Sequence, residues 1–322
     1  MERTLIRSIH TTFAADVLNG LSAKQKFLPS KYLYDERGGR LFQAIMRLPE
    51  YYLTDCEYEI ISTWKEELLK TFTEPKGDFI LVELGAGDGV KTKVLLKELI
   101  NQQIKFFYIP IDISAHVLEH LKNDLSLNIP GITVQGMQSE FLSALEKIKF
   151  NHKRKVIMFL GSSIGNFENQ EAILFLSQIA KSLEPNDLFL IGFDLIKDPT
   201  VILNAYNDKQ GITRAFNFNL LERINKELEG NFDISKFKFY PVYDPLSCEV
   251  RSYLVSKQKQ EIYIETIDKH IILDQWEPIH TEISKKYDIS SVEKLAENSG
   301  FKIKYNFYDC RNYFLNSIWC LK

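Results

Sequence analysis

The residues Glu83-Leu84-Gly85-Ala86-Gly87-Asp88-Gly89 stand between an apolar run, DFILVEL, and a helically spaced one, KTKVLLKELI. Glycines at a strand-to-helix turn let the backbone approach a ligand with no Cβ in the way, so Gly85 and Gly87 are expected to face a cofactor. A second apolar run, FFYIPID, ends in Asp112, 23 residues after Gly89. A carboxylate at that place accepts hydrogen bonds from both hydroxyls of a ribose, and turn and carboxylate together point to an adenosine cofactor. The dinucleotide fingerprint G-x-G-x-x-G is not met, because the third glycine comes one residue early and Val90 stands in its place. That favours S-adenosylmethionine, which has no pyrophosphate to seat. His116-Val117-Leu118-Glu119-His120 matches the H-x-x-E-H pattern of a zinc-peptidase class. On a helix after the second strand its polar residues are expected to face solvent, and no further ligand is indicated, so no metal is expected.

The elements that must hold these groups alternate. After FFYIPID come a helix, SAHVLEHLKNDL, with Ser114 as N-cap, a short strand ITVQG and a buried strand KVIMFLG. The helix NQEAILFLSQIAKSL, stopped by Pro185, and the strand DLFLIGFDL follow. Continuous apolar strands separated by helices imply a parallel sheet covered on both faces. Beyond Lys197 the alternation breaks: helical TVILNAYN and AFNFNLLERINKELEG precede strand-like KFKFYPVY, CEVRSYLVS, EIYIETI and IHTEIS, the pattern of an inserted second domain. The tail resumes with a helix, SSVEKLAENSG, C-capped by Gly300, then FKIKYNFYD and a last strand, YFLNSIWCLK.

The 322 residues allow two domains or one enlarged domain. With 45% hydrophobic and 26% charged residues, a disordered or fibrous class is excluded. The balance of 40 basic against 43 acidic residues leaves no cationic surface for nucleic acid. No apolar run reaches the roughly 18–20 residues of a membrane span and the start, MERTLIRSIHTTFAADVLNG, lacks a signal-peptide core, so a cytoplasmic protein is expected. Cys56, Cys248, Cys310 and Cys320 share no C-x-x-C spacing and are expected to be buried free thiols.

Six segments in order resemble the S-adenosylmethionine-dependent L-histidine Nα-methyltransferases of ergothioneine biosynthesis. They are Leu28-Pro29 with Lys31-Tyr32-Leu33-Tyr34-Asp35-Glu36-Arg37-Gly38, and Leu41-Phe42 with Arg47-Leu48-Pro49-Glu50-Tyr51-Tyr52-Leu53-Thr54. Glu83-Leu84-Gly85-Ala86-Gly87 with Lys91-Thr92, and Tyr108-Ile109-Pro110-Ile111-Asp112-Ile113-Ser114, are the next two. Phe159-Leu160-Gly161-Ser162-Ser163-Ile164-Gly165-Asn166 and Asp194-Leu195-Ile196-Lys197-Asp198-Pro199 complete the set. The resemblance implies an α/β chain: a Rossmann-like class I methyltransferase domain over 61–195 and 287–322, with an inserted α+β substrate-binding domain from 1–60 and 196–286.

The resemblance also implies roles. Gly85, Gly87, Lys91, Asp112, Glu140 and Phe141 would hold S-adenosylmethionine, with Glu140 and Phe141 around the adenine; Glu140 stands where the family usually has Asp. Tyr34 and Tyr206 would bind the carboxylate of histidine and Asn166 its α-amine, with Tyr34 and Asn166 nearest the chemistry. Two phenol donors suit a carboxylate, and an Asn oxygen can accept from an N–H while the nitrogen lone pair stays free to attack. Phe42 and Tyr51 would line the pocket, aromatic faces suiting the growing trimethylammonium. Glu282 and Ser284, two apart on a strand and so on one face, would grip the imidazole. Val250 stands where the family usually has Met. The implied reaction is methylation, up to three times, of the α-amino group of L-histidine to histidine betaine, by a monomer with no nucleic acid or membrane partner. The alternatives are an N-methyltransferase for another amino acid or aromatic amine, a non-catalytic S-adenosylmethionine-binding regulator, and a nicotinamide-dependent oxidoreductase.

Overall fold

The structure, a computed structural model, describes residues 2–149 and 153–322, with the side chains of residues 2–11 and 149 outside the description. The chain opens with α1 (Glu2–Ser22), α2 (Glu36–Ile45), α3 (Tyr52–Thr63) and α4 (Lys65–Thr73). Strands and helices then alternate: β1 (Phe79–Leu84), α5 (Thr92–Asn101), β2 (Phe106–Asp112), α6 (Ala115–Asn128), β3 (Met137–Gln138), α7 (Phe141–Lys149), β4 (Arg154–Phe159), α8 (Asn169–Lys181) and β5 (Leu188–Asp194). Next come α9 (Pro199–Tyr206), α10 (Ile212–Leu228), β6 (Phe237–Asp244), β7 (Glu249–Ser256), β8 (Gln260–Ile264), β9 (Lys269–Leu273) and β10 (Pro278–Lys285). The chain closes with α11 (Ile289–Asn298), β11 (Phe301–Tyr308) and β12 (Phe314–Leu321).

Two compact units result, one of residues 1–51 and 198–284, the other of 52–197 and 285–322. The expected boundary after residue 60 therefore moves to 51/52. The reason is α3, whose Leu53, Cys56, Ile60 and Ile61 are buried within the second unit, where the helix packs on β12. An amphipathic helix goes where its apolar stripe is covered.

In the second unit the sheet order is β11-β12-β5-β4-β1-β2-β3. Strands β1 to β5 run parallel, and β12 and β11 close the edge antiparallel. This is a doubly wound, Rossmann-like arrangement. Alternation along β1 sends Ile80, Val82 and Leu84 into a core shared with α7, α8 and α11, while the intervening residues, buried as well, point to the opposite face. The third strand differs from expectation: residues 132–136 form only a bridge at Val134, and pairing with β2 falls on Met137–Gln138. Ser114 caps α6, accepting the Val117 N–H at 3.3 Å. His116, Glu119 and His120 on that helix are exposed.

The first unit has a three-stranded sheet, β10-β7-β6, and a β8-β9 hairpin whose second strand the sequence pattern did not single out. Helix α10 packs on α2, β6, β7 and β8. Its Asn217 accepts from Thr281 Oγ1 at 2.6 Å, fastening the helix to β10. Of the cysteines only Cys56 is buried, which pushes its thiol up to about 12. Cys310 is exposed, and Cys248 and Cys320 are half-buried, so the expectation of buried thiols fails for three of the four. Among the described residues no helix is long and apolar enough to cross a membrane.

Candidate functional site

In the second unit Gly85, Gly87, Asp112 and Phe141, four of the expected cofactor residues, meet at the carboxyl ends of β1 and β2, where open α/β sheets bind ligands. The Gly85 and Ala86 N–H groups donate to Ile111 O at 2.8 and 3.3 Å, so the glycine turn is stitched to the end of β2. Asp112 accepts from Ser114 N at 2.9 Å and from Gly87 N at 3.4 Å. Burial raises its carboxyl above the ordinary carboxylate range, and these N–H groups oppose the rise. Phe141 packs under the turn, its ring 3.5 Å from where a Gly85 Cβ would lie. Glu140, beside it in the chain, is exposed.

Gly85, Gly87 and Gly89 all lie in the left-handed region, and Gly87 is the one with open space in front of it. Its φ of +54° suits glycine, and a Cβ there would point into space with no heavy atom within 4 Å. The turn is thus a cradle with room in front of it, backed by a carboxylate and an aromatic face, and that donor set fits an adenosine group.

Lys91 carries a partner that the sequence reading missed. Glu57 of α3, fully buried, accepts from Lys91 Nζ and, at 2.8 Å, from the Gly161 N–H after β4. One carboxylate therefore links the lysine of the first turn to the loop that carries Asn166. A Glu on the buried stripe of a helix was the available signal, since such a group is rarely buried without a partner.

Glu83, on β1 just before the glycine turn, is structural. Its carboxyl is fully buried and accepts from Thr92 Oγ1 at 2.5 Å and from the Tyr108 hydroxyl. Burial pushes it up to about 7 from an ordinary 4.5, against the pull of those hydroxyls. A raised carboxyl adds stability fully below its unfolded value and loses it as pH climbs through the folded one. Between pH 6 and 8 this group alone is expected to cost about 1 kcal/mol. Urea midpoints at both pH values test this: Glu83→Gln should flatten the decline, and an equally steep decline in the variant removes Glu83 as its source.

Asn166 ends a single 3-10 turn, Ser163–Asn166, after Ser162 in the left-handed region at φ +56°. The Gly165 N–H donates to Ser162 O at 2.9 Å, and the Asn166 side chain is left half-buried.

In the first unit the expected substrate residues form one chain of rings. Tyr34 meets Phe42 edge-on at 5.4 Å, Phe42 meets Tyr51 at 6.2 Å, and Tyr51 meets Tyr206 at 6.2 Å. Such edge-to-face pairs match the positive rim of one ring to the negative face of the next. Phe216 of α10, buried and not anticipated, touches both Tyr34 and Phe42. Tyr34 is placed by its neighbour: Asp35 caps α2 through the Gly38 N–H at 2.7 Å and accepts from Asn219 Nδ2 of α10 at 2.7 Å.

On β10 burial alternates from Ile279 to Ile283, with Thr281 and Ile283 buried and His280 and Glu282 half-buried, and the alternation breaks at Ser284, which is buried like Ile283 before it. Ser284 Oγ lies 2.7 Å from the Tyr206 hydroxyl in a buried hydrogen bond. The residues expected at the carboxylate end and at the ring end of a histidine thus touch each other. Val250 is buried on β7.

The family described as histidine-specific, SAM-dependent methyltransferases matches residues 13–320. The histidine N-alpha-methyltransferase of Mycolicibacterium smegmatis is 35% identical over 283 residues, covering 88% of this chain and 87% of that protein. The histidine N-alpha-methyltransferase of Mycobacterium tuberculosis is 33% identical over 278 residues, covering 86% and 85%. An L-tryptophan methyltransferase of Psilocybe serbica is 26% identical over 311 residues, covering 89% and 86%.

Proposed function

Since the chain belongs to the family of histidine-specific, S-adenosylmethionine-dependent methyltransferases, we propose that it methylates the α-nitrogen of L-histidine, up to three times, giving histidine betaine. The observation that carries the choice of substrate is the polar face of β10: Glu282 and Ser284 side by side, with Ser284 bonded to Tyr206. A carboxylate that accepts and a hydroxyl that can donate, one strand repeat apart, match the N–H and the acceptor nitrogen of one imidazole.

S-adenosylmethionine, when bound, supplies an electrophilic methyl on a sulfonium. The residues of this chain do the rest. Asp112 takes the ribose hydroxyls, Glu140 and Phe141 flank the adenine, and the Gly85–Gly87 turn admits the cofactor backbone to backbone. The ammonium of Lys91, held by Glu57, suits the one carboxylate of the cofactor. Tyr34 and Tyr206 bind the carboxylate of histidine. In the first two transfers Asn166 accepts from an N–H of the α-amine so that its lone pair is aimed rather than tumbling, the sulfonium leaves as the thioether S-adenosylhomocysteine and one proton is released. The dimethylated amine has no N–H and in the third transfer is held through its carboxylate and ring alone. Alignment of an amine with an electrophilic carbon can contribute about 7–11 kcal/mol toward such a displacement. Phe42 and Tyr51 offer aromatic faces to the cationic product, at about 0.5–2 kcal/mol per contact.

The test is mass spectrometry of the protein with S-adenosylmethionine and each of the twenty amino acids. Histidine carrying one, two and three added methyls is the expected result; products on another amino acid and none on histidine would overturn the proposal. For the cofactor, Asp112→Ala should weaken S-adenosylmethionine binding by about 1.5–3 kcal/mol, the range for hydrogen bonds to a charged group. Unchanged affinity by calorimetry would remove Asp112 from the site.

A second acceptor has one observation in its favour. Val250 is smaller than the Met usual there, and the similarity to an L-tryptophan methyltransferase makes a bulkier ring the first competitor to assay. We place the reaction in the cytoplasm, on a monomer that uses neither nucleic acid nor membrane; light scattering checks the monomer.

A further inference from the structure

The chain passes between its two units at 51/52, 197/198 and 284/285. Within the second unit, a side chain within two residues of each passage ends on the same carboxylate. Asp194, the last residue of β5 and fully buried, accepts from the Tyr52 hydroxyl at 2.9 Å to either oxygen. Its Oδ1 accepts from Lys197 Nζ, and its Oδ2 lies 2.8 Å from Lys286 Nζ. Lys197 Nζ also donates to the Tyr52 hydroxyl at 2.9 Å and sits over the Tyr52 ring at 4.3 Å.

The backbone repeats the pattern. Tyr287 N donates to Asp194 O, and Ile196 N to Tyr287 O, each at 2.9 Å. The Asp194 N–H donates to Ser162 Oγ at 2.8 Å, in the loop that ends on Asn166. That loop grips the third passage as well: a Cβ on Gly165 would lie 2.8 Å from Lys285 O, so only glycine lets the Lys285 backbone pass beside Asn166.

Lys197 and Lys286 are both buried against the one carboxylate of Asp194, and buried ionic groups are expensive to place. What the second lysine adds is reach, since it ties in the third passage. The neighbouring residues are those assigned to the methyl acceptor. Tyr51 directly precedes Tyr52, Ser284 precedes Lys286 by two, and α9, which ends on Tyr206, begins two residues after Lys197. The glycine turn of the cofactor site hangs instead on the end of β2, through Ile111 and Asp112, and Lys91 is the one cofactor residue tied to the Ser162 loop, through Glu57 and the Gly161 N–H.

We propose that Asp194 is a positioning residue for the methyl acceptor: by holding Tyr52, Lys197, Lys286 and the Ser162 loop on one carboxylate, it sets the segments that carry Tyr51, Tyr206, Ser284 and Asn166 and leaves cofactor binding alone. The inference rests on the acceptor assignments made above.

The experiment measures histidine KM, kcat and the Kd of S-adenosylhomocysteine in wild-type protein, Asp194→Asn, Tyr52→Phe and, as a control on the acceptor assignments, Tyr206→Phe. Tyr52→Phe removes one hydroxyl and keeps the ring, so it stays informative should Asp194→Asn fail to fold. Histidine KM is expected to rise about tenfold in Tyr52→Phe and more in Asp194→Asn, with the Kd held within about twofold. A merely structural role would lower the active fraction, and hence apparent kcat, without moving KM. If Tyr206→Phe raises KM and Tyr52→Phe does not, the anchor is wrong and the acceptor assignments stand. A flat KM in both overturns the two together, and a Kd that weakens as much as KM overturns the separation of acceptor from cofactor.

Discussion

Replacing Asn166 by alanine is expected to cut turnover by about 10²-fold or more while S-adenosylhomocysteine binds within about twofold of its wild-type affinity. The effect is large because the residue acts on the nucleophile. An amine whose lone pair is not aimed at the methyl carbon reacts only in the rare orientations it reaches by chance. The Asn166 backbone is held by the Ser162–Gly165 turn, whose hydrogen bonds do not use the Asn166 side chain, so truncation should leave the loop in place. Single-turnover rates and calorimetry on the same variant separate the two quantities. Near wild-type turnover would refute the role, and a parallel loss of cofactor affinity would mean that the loop, not the amine, had been disturbed.

The second large effect concerns the imidazole. A site that pairs buried polar groups with ring nitrogens rejects a ring that leaves them unpaired, and kcat/KM for histidine over phenylalanine is expected to be about 10²-fold or more. Glu282→Ala should lower kcat/KM for histidine by about 10- to 100-fold, the value of a hydrogen bond to a charged group, and leave phenylalanine where it was. Ser284→Ala would also strip Tyr206 of its 2.7 Å partner and so confuse ring binding with carboxylate binding. Should wild-type protein use phenylalanine as well as histidine, the assignment of β10 to the imidazole fails, and the reading as a methyltransferase for another amine takes its place.

Much of the second unit was legible in the sequence because its signals are local. A glycine turn between an apolar strand and a helix, and an acid at the end of the next strand, are short-range patterns whose geometry follows from φ, ψ and strand direction. Ser114 as a cap is of the same kind and is present in the structure, whereas the alternation of β10 runs only as far as Ile283, because Ser284 is buried as well. The resemblance to a family supplied the acceptor residues, which no local pattern singles out: a Tyr at position 34 or 206 looks like any other aromatic.

What tertiary structure decided are the pairings between distant segments. Glu57 meets Lys91 across 34 residues, Tyr206 meets Ser284 across 78, and Tyr52 meets Asp194 across 142. An ion pair or a hydrogen bond needs two partners, and a linear pattern names candidates without saying which two the fold brings together. The same reason explains the elements that moved. β3 falls on Met137–Gln138 because a strand exists only where a neighbour pairs with it, whatever the β-propensity of residues 132–136. α3 joins the second unit because β12, more than 250 residues further on, covers its apolar stripe. The sequence by itself determined the class of cofactor pocket and the strands that frame it. Only the fold decided that one buried carboxylate, Asp194, would serve all three passages of the chain, because burial and proximity are properties of the packed molecule.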